Sequence, residues 1–140
     1  MDVREAVETR FSCRAFLDTP VPEATVRDIL ARASRAPSGG NVQPWMVHAV
    51  TGAPLAELKA SIAPRAQQSP RGEGAEYRVY PEGLTEPYEG RRRTVGEQLY
   101  RSIAVPREDK AGRYRQFARN FLFFDAPVGL FVAVDRQMGP

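Results

Sequence analysis

At 140 residues the chain is long enough for one domain with a real core, because proteins of this size bury roughly 68–70% of the surface their unfolded chains expose. The apolar fraction of 42% and the charged fraction of 26% are those of an ordinary globular protein, and a net charge of +3 is too small for a nucleic-acid footprint. Cys13 is the only cysteine, which excludes an internal disulfide, and together with the single histidine, His48, it cannot make a conventional zinc site. Redox chemistry on such a chain would need a borrowed cofactor.

The segment Met1-Asp2-Val3-Arg4-Glu5 is acidic and precedes no apolar run, so neither a secretory signal nor a membrane span is expected and the cytoplasm is the expected compartment. Asp2 with Glu5 has the form of a capping box, and Val3, Ala6 and Val7 share a helical face, predicting a short helix over about residues 2–10. A second helix is predicted from about Glu23, with Val26, Ile29, Leu30 and Ala33 in helical spacing, and Pro37-Ser38-Gly39-Gly40 ends it.

Trp45 to Val50 reads as a buried strand with His48 as a core histidine, and Pro54 opens a helix that turns Leu55, Leu58 and Ile62 inward. From Pro64 to about Pro87 no apolar period is sustained, which predicts an irregular lid. Arg91-Arg92-Arg93 introduces a helix carrying Val95, Leu99 and Ile103, and the arginine run reads as a solvated helix face. Tyr114, Phe117, Phe121 and Phe124 form an aromatic helical stripe over about 107–124, and Pro127 to Val134 is a second strand. Two strands alone make a marginal sheet, so the domain reads as incomplete.

Two segments carry candidate chemistry. Arg10-Phe11-Ser12-Cys13-Arg14 places two guanidinium groups and a hydroxyl at the end of the first helix, where they are either surface charges favoured by the helix dipole or bidentate ligands of phosphate oxygens. The loop Ala36-Pro37-Ser38-Gly39-Gly40-Asn41-Val42-Gln43-Pro44-Trp45 offers exposed backbone groups and two amide side chains, as either a simple helix stop or a cradle for a planar heterocycle with alternating donors and acceptors.

The Arg-x-Ser-x-Arg pattern, the Pro-Ser loop followed by Asn-x-Gln-Pro-Trp, and Arg119-Asn120-Phe121-Leu122-Phe123-Phe124-Asp125-Ala126-Pro127-Val128 occur in that order. In this the chain resembles the nitroreductase family over almost its whole length. The resemblance implies an α+β fold with helices around a central mixed sheet. It also implies a homodimer with FMN at the two-fold interface, no membrane or nucleic-acid partner and no metal. The expected reaction is a ping-pong transfer of reducing equivalents from NADH or NADPH through FMN to a nitroaromatic, quinone or similar small acceptor.

By position, the resemblance assigns Arg10, Ser12 and Arg14 to the FMN phosphate and ribityl end, and Pro37, Ser38, Gly39, Asn41 and Gln43 to the flavin. No side chain needs to act as the catalytic group. Residues 64–118 correspond to the family's variable substrate region, which makes Tyr77, Tyr80, Tyr88, Arg91 and Arg92 candidates for acceptor contacts. Trp45 and Phe124 are expected in the core, with the border of a partner subunit's substrate channel as the alternative for Phe124. Family members are longer than this chain, so 1–140 is expected to be one domain truncated at its carboxyl side. The alternative is a non-catalytic remnant that binds FMN or a protein partner without turnover.

Overall fold

A computed structural model describes residues 2–69, 72–74 and 78–138. Its elements in chain order are α1 (Val3–Thr9), α2 (Glu23–Ala33), β1 (Trp45–Thr51), α3 (Gly52–Gln68), α4 (Tyr88–Ser102), α5 (Lys110–Ala118) and β2 (Val128–Val134), an α+β composition. Short 3-10 turns occupy Gly39–Asn41, Arg119–Asp125 and Arg136–Met138. The chain divides into two compact units, one of residues 1–60 with 123–140 and one of residues 61–122.

In the first unit, Asp2 caps α1 by accepting a hydrogen bond from the Glu5 amide at 2.8 Å, as the sequence predicts. β1 and β2 run antiparallel, with Trp45 opposite Val134, His48 opposite Phe131 and Thr51 opposite Val128. Directly opposed residues share a face, so Val50, Gly129 and Phe131 lie on one side of the pair. The core gathers at this end of the sheet. Leu55, in the first turn of α3, is only 3% exposed, Gly129 is buried, and the Phe123 ring meets Phe131 edge-on with centroids 5.6 Å apart. On the other face Leu130, Val132 and Val134 are exposed, Val132 by 65%.

His48 is exposed, contrary to the core position its apolar strand suggests, because this short pair covers its central residues on neither side. Trp45 is half-buried.

In the second unit the Tyr114 hydroxyl donates to the Ala66 carbonyl at 2.6 Å, tying α5 to the last turns of α3. Arg113 joins α5 to α4 through Glu97, and Phe117 packs edge-on against Phe121 at 5.8 Å.

Two boundaries differ from the sequence prediction. α3 continues through Pro64 to Gln68, although a proline inside a helix removes one backbone bond. The residues after it, Arg65, Ala66, Gln67 and Gln68, are good helix formers, and Tyr114 holds the Ala66 carbonyl. The single aromatic helix expected over 107–124 instead ends at Ala118 and tightens into a 3-10 turn. Phe123, Phe124 and Asp125 then adopt left-handed φ values of 56°, 51° and 67°. Aromatic residues are middling helix formers, and Pro127 restricts the backbone of Ala126, so this run cannot simply extend α5.

Candidate functional site

The first cluster lies directly after α1. Arg10 is the C-cap residue and already extended, with φ −62° and ψ 129°, so the chain leaves the helix there and presents residues 10–14 to solvent. Arg14 donates from Nη1 to the Ser12 carbonyl at 3.3 Å, and its guanidinium lies 5.9 Å from the centroid of the Phe124 ring. Phe124 is thus half-buried beneath an arginine rather than enclosed in the core, as its place in the aromatic stripe suggests. The Cys13 thiol donates to the Ala15 carbonyl at 3.0 Å.

Pairing sets these two arginines apart from those within α1 and α2. Arg4 pairs with Glu8, Arg27 with Glu23 and Arg32 with Asp28. Among the described residues, neither Arg10 nor Arg14 has a carboxylate partner. Two guanidinium groups in one five-residue segment therefore remain free to meet an anion.

The second cluster is the loop after α2. The α2 helix ends as Ser34 donates its amide to the Leu30 carbonyl, and the chain crosses Pro37 and Ser38 into the Gly39–Asn41 turn. Gly40, Asn41 and Gln43 have φ values of 58°, 53° and 47°, in the left-handed region where glycine is at ease and asparagine is tolerated. The Ser38 hydroxyl accepts from the Gln43 amide at 3.0 Å, and the Asn41 amide donates to the Ser38 carbonyl at 2.9 Å. These bonds close the loop on itself, while the Asn41 and Gln43 side chains are exposed and engage no protein partner among the described residues.

Both clusters belong to the first unit, and among the described residues no hydrogen bond joins segment 10–14 to segment 37–43. The candidate acceptor contacts belong to the second unit. There the Arg92 guanidinium lies 4.9 Å from the centroid of the Tyr80 ring and that of Arg91 lies 5.9 Å from Tyr88, so these four residues form two cation–π pairs. Tyr77 lies outside the described residues. No group of acidic, histidine or cysteine side chains suited to a metal occurs among the described residues, and no helix there is long and apolar enough to cross a membrane.

Sequence reading missed the α4–α5 junction. Arg101, Arg107 and Arg113 line a cavity of about 450 Å3 there together with Glu97. Irregular spacing across two helices and their connection hid the cluster, which becomes visible only when α4 and α5 pack.

The chain thus combines an α+β composition with an arginine segment lacking carboxylate partners and an amide-bearing glycine loop. A family model described as the Nitroreductase family matches residues 7–139, and the chain belongs to that family.

Among its relatives, a nitrobenzene nitroreductase of Ectopseudomonas oleovorans is 37% identical, over 97% of this chain and 60% of that protein. A 4-nitrobenzoate reductase of Nocardioides sp. (strain LMS-CY) is 41% identical over 94% of this chain and 54% of that protein. The crystal structure of the FMN and NADPH-dependent nitroreductase NfnB from sphigopyxis sp. strain HMH superposes with a TM-score of 0.93 at 46% identity, covering 100% of this chain and 63% of that one. The chain thus spans about three-fifths of the length of the relatives it matches.

Proposed function

We propose that this chain serves an FMN-dependent oxidoreductase that carries electrons from NADH or NADPH to nitroaromatic acceptors. The observation that carries the reading is family membership over residues 7–139 combined with unpaired guanidinium groups at Arg10 and Arg14. The relatives supply its chemistry: two act on nitrobenzene and 4-nitrobenzoate by name, and the structural neighbour is FMN- and NADPH-dependent.

The donor set fits FMN. A phosphomonoester requires fixed cations, and Arg10 and Arg14 provide them with the Ser12 hydroxyl between. A ring edge with alternating donors and acceptors requires groups that offer both, and Asn41 and Gln43 do so from a loop that Ser38 closes and Pro37 and Gly39 shape. The chemistry FMN supplies when bound is two-electron transfer in two half-reactions, with hydride arriving from the nicotinamide and electrons leaving to a nitroaromatic, quinone or similar acceptor, a ping-pong scheme.

The protein's own contribution is binding, orientation and electrostatics. Arg14 is steadied by Phe124 and the Ser12 carbonyl, so less rotamer freedom is lost when its remaining donors meet a phosphate. The left-handed backbone at Gly40, Asn41 and Gln43 holds the amide side chains out of the local backbone network. Within the second unit, residues 64–118 act as the substrate region, where the exposed Tyr80 and Tyr88 rings, each with an arginine over it, offer stacking surfaces to a flat, electron-poor acceptor.

A second copy of the chain as partner is supported by the uncovered apolar face of β2. The cytoplasm suits a nicotinamide-dependent reaction.

The test is an anaerobic absorbance titration with FMN followed by NADPH or NADH. The proposal expects FMN uptake and bleaching of the bound flavin band. Arg14→Ala is expected to weaken FMN binding by roughly tenfold or more, since a hydrogen bond to a charged group contributes about 1.5–3 kcal/mol. Failure to take up FMN sinks the proposal, whereas FMN uptake without any bleaching reduces the chain to a binding remnant.

A further inference from the structure

We infer that the junction between α4 and α5 is a binding site for a phosphate dianion, separate from the arginines assigned above to FMN. The carrying observation is a cavity of about 450 Å3 walled by Arg101, Arg107, Arg113 and Glu97 over Val105 and Pro106.

The three arginines are not equivalent. Arg113 is fully engaged: Nη1 and Nη2 donate to the two Glu97 oxygens at 3.0 and 2.8 Å, Nε donates to the Pro106 carbonyl at 3.2 Å, and the guanidinium lies 4.2 Å from the Tyr100 ring centroid. It is a structural post. Arg101 and Arg107, by contrast, have no carboxylate partner and make no side-chain hydrogen bond among the described residues.

Of the other arginines of this unit, Arg65, Arg78, Arg93 and Arg115 are compensated by Glu73, Glu82, Glu86 and Asp109, while Arg91 and Arg92 lie against the Tyr88 and Tyr80 rings. Glu97 offsets one of the three charges on the cavity wall, which leaves two positive charges facing solvent. Glu108 lies near Arg113 but does not line the cavity.

A helix C-terminus ordinarily repels anions through its free carbonyls. Here three of the last four are occupied. The Tyr100 carbonyl accepts from the Val105 amide at 2.9 Å, that of Arg101 from the Ala104 amide at 3.1 Å, and that of Leu99 from the Ser102 hydroxyl at 2.7 Å. Ala104, at φ 54°, makes the reversal that brings Pro106 and Arg107 back beside the helix end. The positive field also converges on Glu97: its carboxyl is held below the usual carboxylate range first by the Arg113 hydrogen bond, with Arg107 and Arg101 adding to the effect.

Two uncompensated guanidinium groups match a doubly charged phosphate better than a single carboxylate, and Arg meets phosphate oxygens in bidentate fashion. The cavity has room for more than the anion, and Val105 and Pro106 offer an apolar surface to an organic group attached to it. A free phosphate and a phosphomonoester share this chemistry.

Calorimetric titration of the full chain with phenyl phosphate, inorganic phosphate and benzoate tests the inference, in parallel on R101Q/R107Q and on R14A. The expected result is a saturable phosphate component that is weakened by roughly tenfold or more in R101Q/R107Q and retained in R14A, which removes only the contribution of the FMN segment, with benzoate binding much more weakly. Tighter binding of phenyl phosphate than of inorganic phosphate assigns an organic phosphomonoester, and equal binding assigns free phosphate; either supports the site.

Equal affinity in R101Q/R107Q, loss of binding in R14A instead, benzoate binding as tightly as phosphate, or no binding at millimolar ligand overturns it. Should the double variant lose its thermal transition, Arg107→Gln alone, in the connection outside either helix, gives the same readout.

Discussion

Arg113 grips Glu97 with both terminal nitrogens, and this bidentate pair ties α5 directly to α4. Its side chains are 19% and 38% exposed, so water screens the pair less than it does the fully solvated pairs along α1 and α2. The Arg113 hydrogen bond holds the Glu97 carboxyl below the ordinary carboxylate range, against a smaller opposing push from desolvation.

A carboxyl whose folded pKa is depressed stabilises the fold above its unfolded value, about 4.3, and loses that contribution as pH falls through the folded value. Thermal melts of wild type and Glu97→Gln are therefore expected to differ most above about pH 5 and to converge as acid protonates Glu97 in the wild type. A gap that persists undiminished in acid would assign the pair's effect to packing rather than charge.

Gly129 supplies the close approach at the buried end of the sheet. A Cβ there would stand 3.0 Å from the Phe123 ring and 3.3 Å from Leu55. Gly129→Ala is expected to destabilise the protein by about 1–3 kcal/mol through overpacking. Leu55→Ala is expected to cost about 2–5 kcal/mol through a cavity. Because the two residues share one contact, the double variant should lose less than both single losses combined, and urea unfolding of all three measures the coupling.

The Ser38 hydroxyl fixes the loop that carries Asn41 and Gln43 by accepting from the Gln43 amide. Ser38→Ala leaves that amide without its partner and is expected to weaken FMN binding about fivefold, corresponding to about 1 kcal/mol. Ser38→Thr keeps the hydroxyl and should restore most of the affinity, both variants being read by absorbance titration with FMN.

Asp109 caps α5 by accepting from the Gly112 amide at 2.7 Å, and a Cβ on Gly112 would collide with that carboxylate. Asp109→Ala is expected to cost about 0.5–2 kcal/mol, and Asp109→Asn, which keeps an accepting oxygen, much less. Equal losses in chemical denaturation would point to the charge contact with Arg115 instead.

Both strands and the first two helices were legible in the sequence because their signals are local: Asp2 capping Glu5, the spacing from Val26 to Ala33, and two apolar runs. The arginine segment and the glycine loop were legible as candidates for the same reason. What sequence could not show depends on contacts across long separations. His48 sits in an apolar run yet is exposed, since coverage of a strand is decided by what lies over it. Helix α3 survives Pro64 with the Ala66 carbonyl held by Tyr114, far along the chain. The anion cavity is divided between one helix, a connection and a second helix, with no motif to announce it.

The pairing of β1 with β2 also orders the birth of the molecule. Thr51 meets Val128, so in sequence the whole of residues 61–122 comes between the two segments of the other unit. During translation β1 leaves the ribosome and waits, its edge amides unmatched, while that contiguous segment emerges and satisfies its own bonds. At about 5–20 residues per second the wait is on the order of several seconds. The apolar stretch Trp45–Val50 thus stays without its pairing partner on the nascent chain until Val128–Val134 is made.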